Sequence, residues 1–368
     1  MKKKGLLFPF EIACLALMAI ALPFMVPSAK SATAAPPKPD LPARITYATH
    51  AVGTSHHGVV TALCKVASER TPIMVVVSPT GGPPAWVPLM NGTGKPEFGS
   101  AHSMDAWWAY TGKVSPTPIP GQMLGTKPFY QANPNLRVLM AGPRMATGFL
   151  VRADSPIKTA KDLVGKRVAS GYLAQPSALI SMVTDVVNAG ITTLDDFVQV
   201  KVPGPVPGVK AVMEGRADAT NAAVGMGVVA EADAAVGVRF LPGSTNPKDI
   251  KRATNVYPGG TYKVWKSGPA GIKVDTPLWT YPVFCMTSTH LPDAVAYEVL
   301  AAWWKYHTET WPLHPACKGW TPEMFVLRDT TVPYHDGAIK FYKEKGVWDA
   351  ALDKIQERLL KGEYPFLD

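Results

Sequence analysis

Residues 45–78, ITYATHAVGTSHHGVVTALCKVASERTPIMVVVS, decide the fold class. The stretch opens with a short β-rich run, Ile45–Thr49, and turns through Gly, Thr and Ser. It then reads as a helix from about His56 to Arg70 and a second strand over Ile73–Ser78. The same alternation continues outward. Strands are predicted at Phe98–Ala101, Leu136–Ala141, Phe149–Arg152, Arg167–Ser170, Val198–Val202, Ala217–Val224, Val238–Leu241 and near Tyr281–Met286. Helices are predicted at Met104–Thr111, Asp162–Lys166, Ser177–Asn188 (stopped by Gly190), Val209–Gly215 and, after the strand ending at Val224, to about Ala235. The C-terminal part is helical: Asp293–His307, Pro322–Arg328, Asp336–Lys345 and Ala350–Lys361. Strands alternating with helices argue for an α/β fold with largely parallel sheets.

Two turn-rich stretches, Asn133–Gly148 and Tyr257–Lys273, are natural crossing points between lobes. If both are crossings, residues 45–140 plus 265–368 form one lobe and 141–264 the other. A ligand then belongs in the cleft, where loops at the carboxyl ends of strands face each other.

The N-terminus predicts export. Lys2, Lys3 and Lys4 precede an apolar run from about Ile12 to Val26, and Ala32-Thr33-Ala34 follows. Positive, apolar and A-x-A in that order is a signal-peptide pattern. The run is about 15 residues, broken by Pro23, and a spanning helix needs about 20. A leader over 1–34 and a Pro-rich linker over 35–44 are therefore expected, with periplasmic location. Of 37 basic and 28 acidic residues, the leader takes four Lys and one Glu, leaving 33 against 27. No run of five basic residues occurs, which argues against nucleic acid. The small positive balance favours an anionic small ligand. Outside the leader the cysteines are Cys64, Cys285 and Cys317, with no zinc-type spacing. Cys285–Cys317 is the disulfide to test, and three buried thiols is the equal alternative.

Three strand-to-helix turns are candidate anion sites, because free N–H groups and the helix dipole converge there. They are Gly53-Thr54-Ser55-His56-His57-Gly58, Thr80-Gly81-Gly82, and Tyr172-Leu173-Ala174-Gln175-Pro176-Ser177. Ordinary capping explains any one of them alone. Catalytic signals are weak: there is no G-x-S-x-G, no H-E-x-x-H and no Cys/His signature of a nucleophile, and no cofactor is expected. Adjacent His56 and His57 point apart on a helix, so no metal site is expected from them. Asp105, beside His102, reads as helix-start charge. The Trp pairs 107–108 and 303–304 read as packing.

Several motifs, in order, resemble the TAXI family of solute-binding proteins of TRAP transporters. They are Asp162-Leu163-Val164-Gly165-Lys166-Arg167-Val168, Gly215-Arg216-Ala217-Asp218-Ala219, Pro258-Gly259-Gly260-Thr261-Tyr262, and His335-Asp336-Gly337-Ala338 running into Phe341-Tyr342-Lys343-Glu344-Lys345-Gly346. Asp105 and Gly112 fit the family's helix element, and the resemblance spans about Ile45 to Val347. It implies a two-lobed periplasmic-binding-protein type II fold, with a ligand cleft between the lobes. It also implies a non-enzymatic receptor that passes a small organic anion, typically a carboxylate such as glutamate or 2-oxoglutarate, to a TRAP-type membrane permease. The departures fall at the pocket. His56 stands where a Tyr is common, Pro83, Pro84 and Trp86 follow the Gly pair, and Tyr172–Ser177 replaces a small polar turn. An aromatic or longer carboxylate is therefore expected, held by Thr54, Ser55, His56, Gly82, Trp86, Tyr172, Gln175 and Ser177. A sensor feeding a signalling receptor and an exported hydrolase are the competing readings.

Overall fold

The computed structural model describes residues 40–113, 128–173, 175–257 and 259–364. The expected leader and residues 35–39 of the linker lie outside the described residues. From Asp40 on the chain forms one compact unit. No described helix is long and apolar enough to cross a membrane.

The chain alternates as the sequence predicts. The strands are β1 (Arg44–Thr49), β2 (Met74–Pro79), β3 (Phe98–His102), β4 (Leu136–Arg152), β5 (Arg167–Gly171), β6 (Val198–Val202), β7 (Ala219–Ala223), β8 (Val238–Phe240), β9 (Thr261–Trp265) and β10 (Thr276–Ser288). The helices are α1 (Ser55–Arg70), α2 (Val87–Thr93), α3 (Ser103–Thr111), α4 (Pro176–Asn188), α5 (Pro205–Met213), α6 (Gly227–Val236), α7 (Pro247–Val256), α8 (Asp293–Tyr306), α9 (Asp336–Glu344) and α10 (Ala350–Leu360).

The strand order is β2-β1-β3-β10-β4-β7-β5-β6, with β8 on β4 and β9 on β10. Two parallel triplets, β2-β1-β3 and β7-β5-β6, flank the antiparallel pair β4 and β10. The sheet is thus less parallel than expected. The reason is β4: Leu136–Ala141 and Phe149–Arg152 join into one 17-residue strand. The segment read as turn-rich, with Gly142 and Pro143, stays extended because β10 pairs along it from Trp279 to Ser288. Its irregularity survives as register shifts at Pro282/Phe284 and Cys285/Met286.

Three further elements escaped the sequence: α2, which contains Pro88, Asn91 and Gly92, α7, and the edge strand β9. Conversely, the helix expected at Pro322–Arg328 is only a 3-10 turn over Pro322–Met324.

The C-terminal helices return to the N-terminal half. The Tyr342 hydroxyl donates to the Leu139 carbonyl (2.9 Å), and the Trp303 indole donates to Leu63 (2.9 Å). The recognised motifs hold this scaffold together. Arg167 donates to Asp218 through its backbone N–H (2.9 Å) and Nη2 (2.6 Å), tying β5 to the start of β7. The His335 ring accepts from the Gly337 N–H, and a Cβ at Gly337 would stand 2.7 Å from the Asp293 carbonyl. Only glycine fits so close to backbone. Cys64, Cys285 and Cys317 are buried free thiols, so the thiol alternative holds and the disulfide is not formed.

Candidate functional site

Parallel neighbours β1 and β3 end side by side. The chain leaves β1 at His50, and β3 ends at His102, the residue that caps α3. The turn after β1 folds back into α1, whose second residue is His56. Thr54 caps that helix: its hydroxyl oxygen accepts from the His57 N–H (3.2 Å), and its O–H donates to the Ala51 carbonyl (2.8 Å). Three histidines from three separate chain segments therefore meet at the strand carboxyl ends.

The three rings are 1% (His50), 6% (His56) and 5% (His102) exposed. Ring centroids are 4.2 Å apart for His50–His56, 4.7 Å for His56–His102 and 5.3 Å for His50–His102. Burial lowers the pKa of each. His50 is pushed down to about 4; His56 and His102 are held well below the ordinary imidazole value by burial first, with repulsion from the other rings of the trio adding to it. All three are neutral at physiological pH. His56 Nδ1 bonds the Ser100 hydroxyl, and His102 Nδ1 bonds the Ser177 hydroxyl and lies 3.6 Å from Asp105 Oδ2. Both nitrogens of His50 and Nε2 of His56 have no hydrogen-bond partner among the described residues.

Two cavities meet at this trio and share Ser55, His56 and Met145 as walls. The smaller, about 30 Å³, is lined by all three histidines with Thr54, Gln175 and Asn221. The larger, about 250 Å³, is walled by Val59, Trp265, Val283 and Trp320, and among the described residues that line it one, Arg144, is charged. The Arg144 guanidinium donates to the Gly259 carbonyl (2.7 Å) and to Asp329 (2.6 Å). Across the cleft, the Ser55 hydroxyl stands 3.5 Å from the Val224 carbonyl.

The eight residues expected from the sequence divide. Thr54, Ser55, His56 and Gln175 line the cavities. Ser177 touches the trio through His102. Gly82, Trp86 and Tyr172 line neither. Gly82 sits in a turn held by the Thr80 hydroxyl (3.1 Å), and Trp86 packs flat against Gly99 in the core. Tyr172 is fully buried, and its hydroxyl bonds Ala169, Thr220 and Asn221.

The anion site expected at the start of α4 is filled by the chain itself. Burial raises the Asp105 carboxyl to about 6, against hydrogen bonds from the Ser177 hydroxyl, Tyr130 and the Ser177 N–H. His50, Arg144, Met145 and Trp320 were missed as site residues, and His102 was read only as a neighbour of Asp105. A signal for His50 and His102 existed: each sits at the carboxyl end of a predicted strand.

Comparison with known proteins now adds the lineage. The profile of the NMT1-like family matches residues 47–346. No curated protein matches the chain. Among solved structures, MatC of Rhodopseudomonas palustris, with bound malate, aligns at 13% identity over 87% of this chain and 100% of its own, with a TM-score of 0.51. The alkanesulfonate-binding protein SsuA of Xanthomonas axonopodis pv. citri, bound to MOPS, aligns at 15% identity over 89% and 86%, with a TM-score of 0.42. The first likeness shows that this chain shares the fold of that malate-bound protein.

Proposed function

The chain belongs to the NMT1-like family, and on that premise we propose that it is an extracytoplasmic solute receptor of the TAXI kind. It captures a small organic carboxylate and hands it to a TRAP-type permease. The lobes are residues 45–140 plus 265–368 and residues 141–264, and closure of the cleft between them is the signal the permease reads.

The observation that carries this reading is the larger cavity. It lies at the strand carboxyl ends, where ligands of open α/β sheets bind. Its volume of about 250 Å³ suits a small acid. Arg144 is the one charged residue among the described residues that line it, and a guanidinium carries five N–H donors, more than its contacts to Gly259 and Asp329 use. The apolar walls, including Trp265 and Trp320, favour a solute with an aromatic or longer aliphatic body over glutamate.

A thermal-shift screen against dicarboxylates, amino acids, keto acids and aromatic acids tests the reading. A ligand at 100 times its Kd adds about 2.7 kcal/mol of stability. The expected result is a shift with an aromatic or long-chain carboxylate that Arg144→Ala abolishes. Stabilisation by glutamate or 2-oxoglutarate alone would refute the solute class. Stabilisation only by cationic or neutral solutes would refute the receptor assignment to organic acids.

A further inference from the structure

We propose that His50, His56 and His102 form a binding site for a divalent first-row transition ion of the zinc type, at the floor of the cleft. This goes beyond solute capture and does not depend on which solute is captured.

The geometry is that of a convergent donor set. One nitrogen from each ring lies within 4.8 Å of the other two. Around a zinc ion at 2.0–2.1 Å, three imidazole nitrogens stand roughly 3.3 Å apart, so modest ring rotation closes the site. Fixed partners limit what those rings do. Ser100 and Ser177 engage the Nδ1 atoms of His56 and His102, which directs metal binding to the opposite ring nitrogen, Nε2. Orientation of a ligating imidazole through its second nitrogen is the usual arrangement at metal centres. The Asp105 carboxylate, 3.6 Å from His102 Nδ1, adds negative charge behind that ring.

The unpartnered nitrogens are the second observation. Buried polar groups without a partner are rare and need an explanation. Here three such nitrogens, on His50 and His56, gather beside a cavity of about 30 Å³. That space suits an ion or a water rather than an organic solute. Imidazole donors select zinc, copper, nickel or iron, whereas calcium and magnesium require oxygen ligands. A tri-imidazole ion keeps one coordination position open, which a water or a carboxylate oxygen completes. The ion would thus add positive charge where an anionic solute arrives.

The test is titration of untagged, chelator-stripped protein with Co²⁺ and with Zn²⁺. One equivalent of each is expected to bind, cobalt with the visible bands of a low-coordinate site and zinc with a rise in melting temperature. His50→Asn, His56→Asn and His102→Asn should each weaken binding by roughly 100-fold or more, and Ser100→Ala by roughly 10-fold. His57→Ala, whose ring is not part of the trio, should bind as the unaltered protein does. Because loss of a buried ring can unfold the chain, X-ray absorption of the zinc-loaded unaltered protein counts the nitrogens directly. Three imidazoles support the site. Fewer than three, no stoichiometric uptake, or an affinity in the three histidine variants unchanged from that of the unaltered protein overturns it. No solute is present in this experiment, so its failure leaves the receptor reading untouched, and a silent solute screen leaves the metal site untouched.

Discussion

Two strand-to-helix turns that look alike in sequence have opposite fates in the structure. The turn before α1 (Thr54, Ser55, His56) keeps one cap for itself and opens its remaining groups onto two cavities. The turn before α4 (Tyr172 to Ser177) is largely consumed by the chain. Tyr172 spends its hydroxyl on β5 and β7, and Ser177 spends its own on His102 and Asp105. Tyr172 even adopts φ of 46°, a strained value for a side chain with a Cβ, because this network over-determines it. A helix N-terminus is a ligand site only where no side chain of the same chain reaches it first. Gln175 is the exception in the second turn, since it lines the small cavity.

That contrast can be broken by mutation. Tyr172→Ala should have the largest effect, a loss of about 3–5 kcal/mol in denaturant unfolding from a buried ring and its bonds. If it left stability nearly unchanged and removed solute binding, the second turn would be a pocket after all.

Next comes a pH effect on the same helix. Asp185 in α4 is pushed up to about 7 by burial, although the Tyr262 hydroxyl (2.6 Å) and the Asn221 amide (2.9 Å) both donate to it. Its ordinary value is 3.8, so between about 4 and 7 the folded state holds a proton that the unfolded chain has released. Stability should therefore fall as pH rises through that window and level off above it. Asp185→Asn should flatten this slope in melts recorded from pH 4 to 8. An unchanged slope would place its origin elsewhere.

The smallest effect belongs to the open turn. Thr54→Ala should cost about 1 kcal/mol, the worth of one helix cap, while leaving the fold intact. A loss rivalling that of Tyr172→Ala would erase the distinction between the two turns.

The fold was readable wherever local pattern and tertiary context agree. β1, α1, β3, α3, α4, α8, α9 and α10 lie within a few residues of expectation. It was unreadable where pairing overrides propensity. Gly142 and Pro143 look like a turn, yet β10 holds them in one long strand. The candidate site was half readable. Thr54, Ser55, His56 and Gln175 follow from turn chemistry at helix starts. Trp86 and Tyr172 do not, because an aromatic residue beside a turn serves a core as readily as a pocket, and only packing chooses. Arg144 was hidden inside the stretch taken for a turn.

The sequence by itself determined the α/β alternation and the presence of polar helix starts, because these depend on residues near one another in the chain. Only the tertiary structure decided that His50, His56 and His102 meet, that Arg144 enters an apolar cavity, and that Asp105 occupies the start of α4. Those outcomes depend on which strands lie side by side. β1 and β3 are separated by the whole of α1, β2 and α2, and their adjacency is fixed by burial of the sheet rather than by any residue pattern at the histidines themselves.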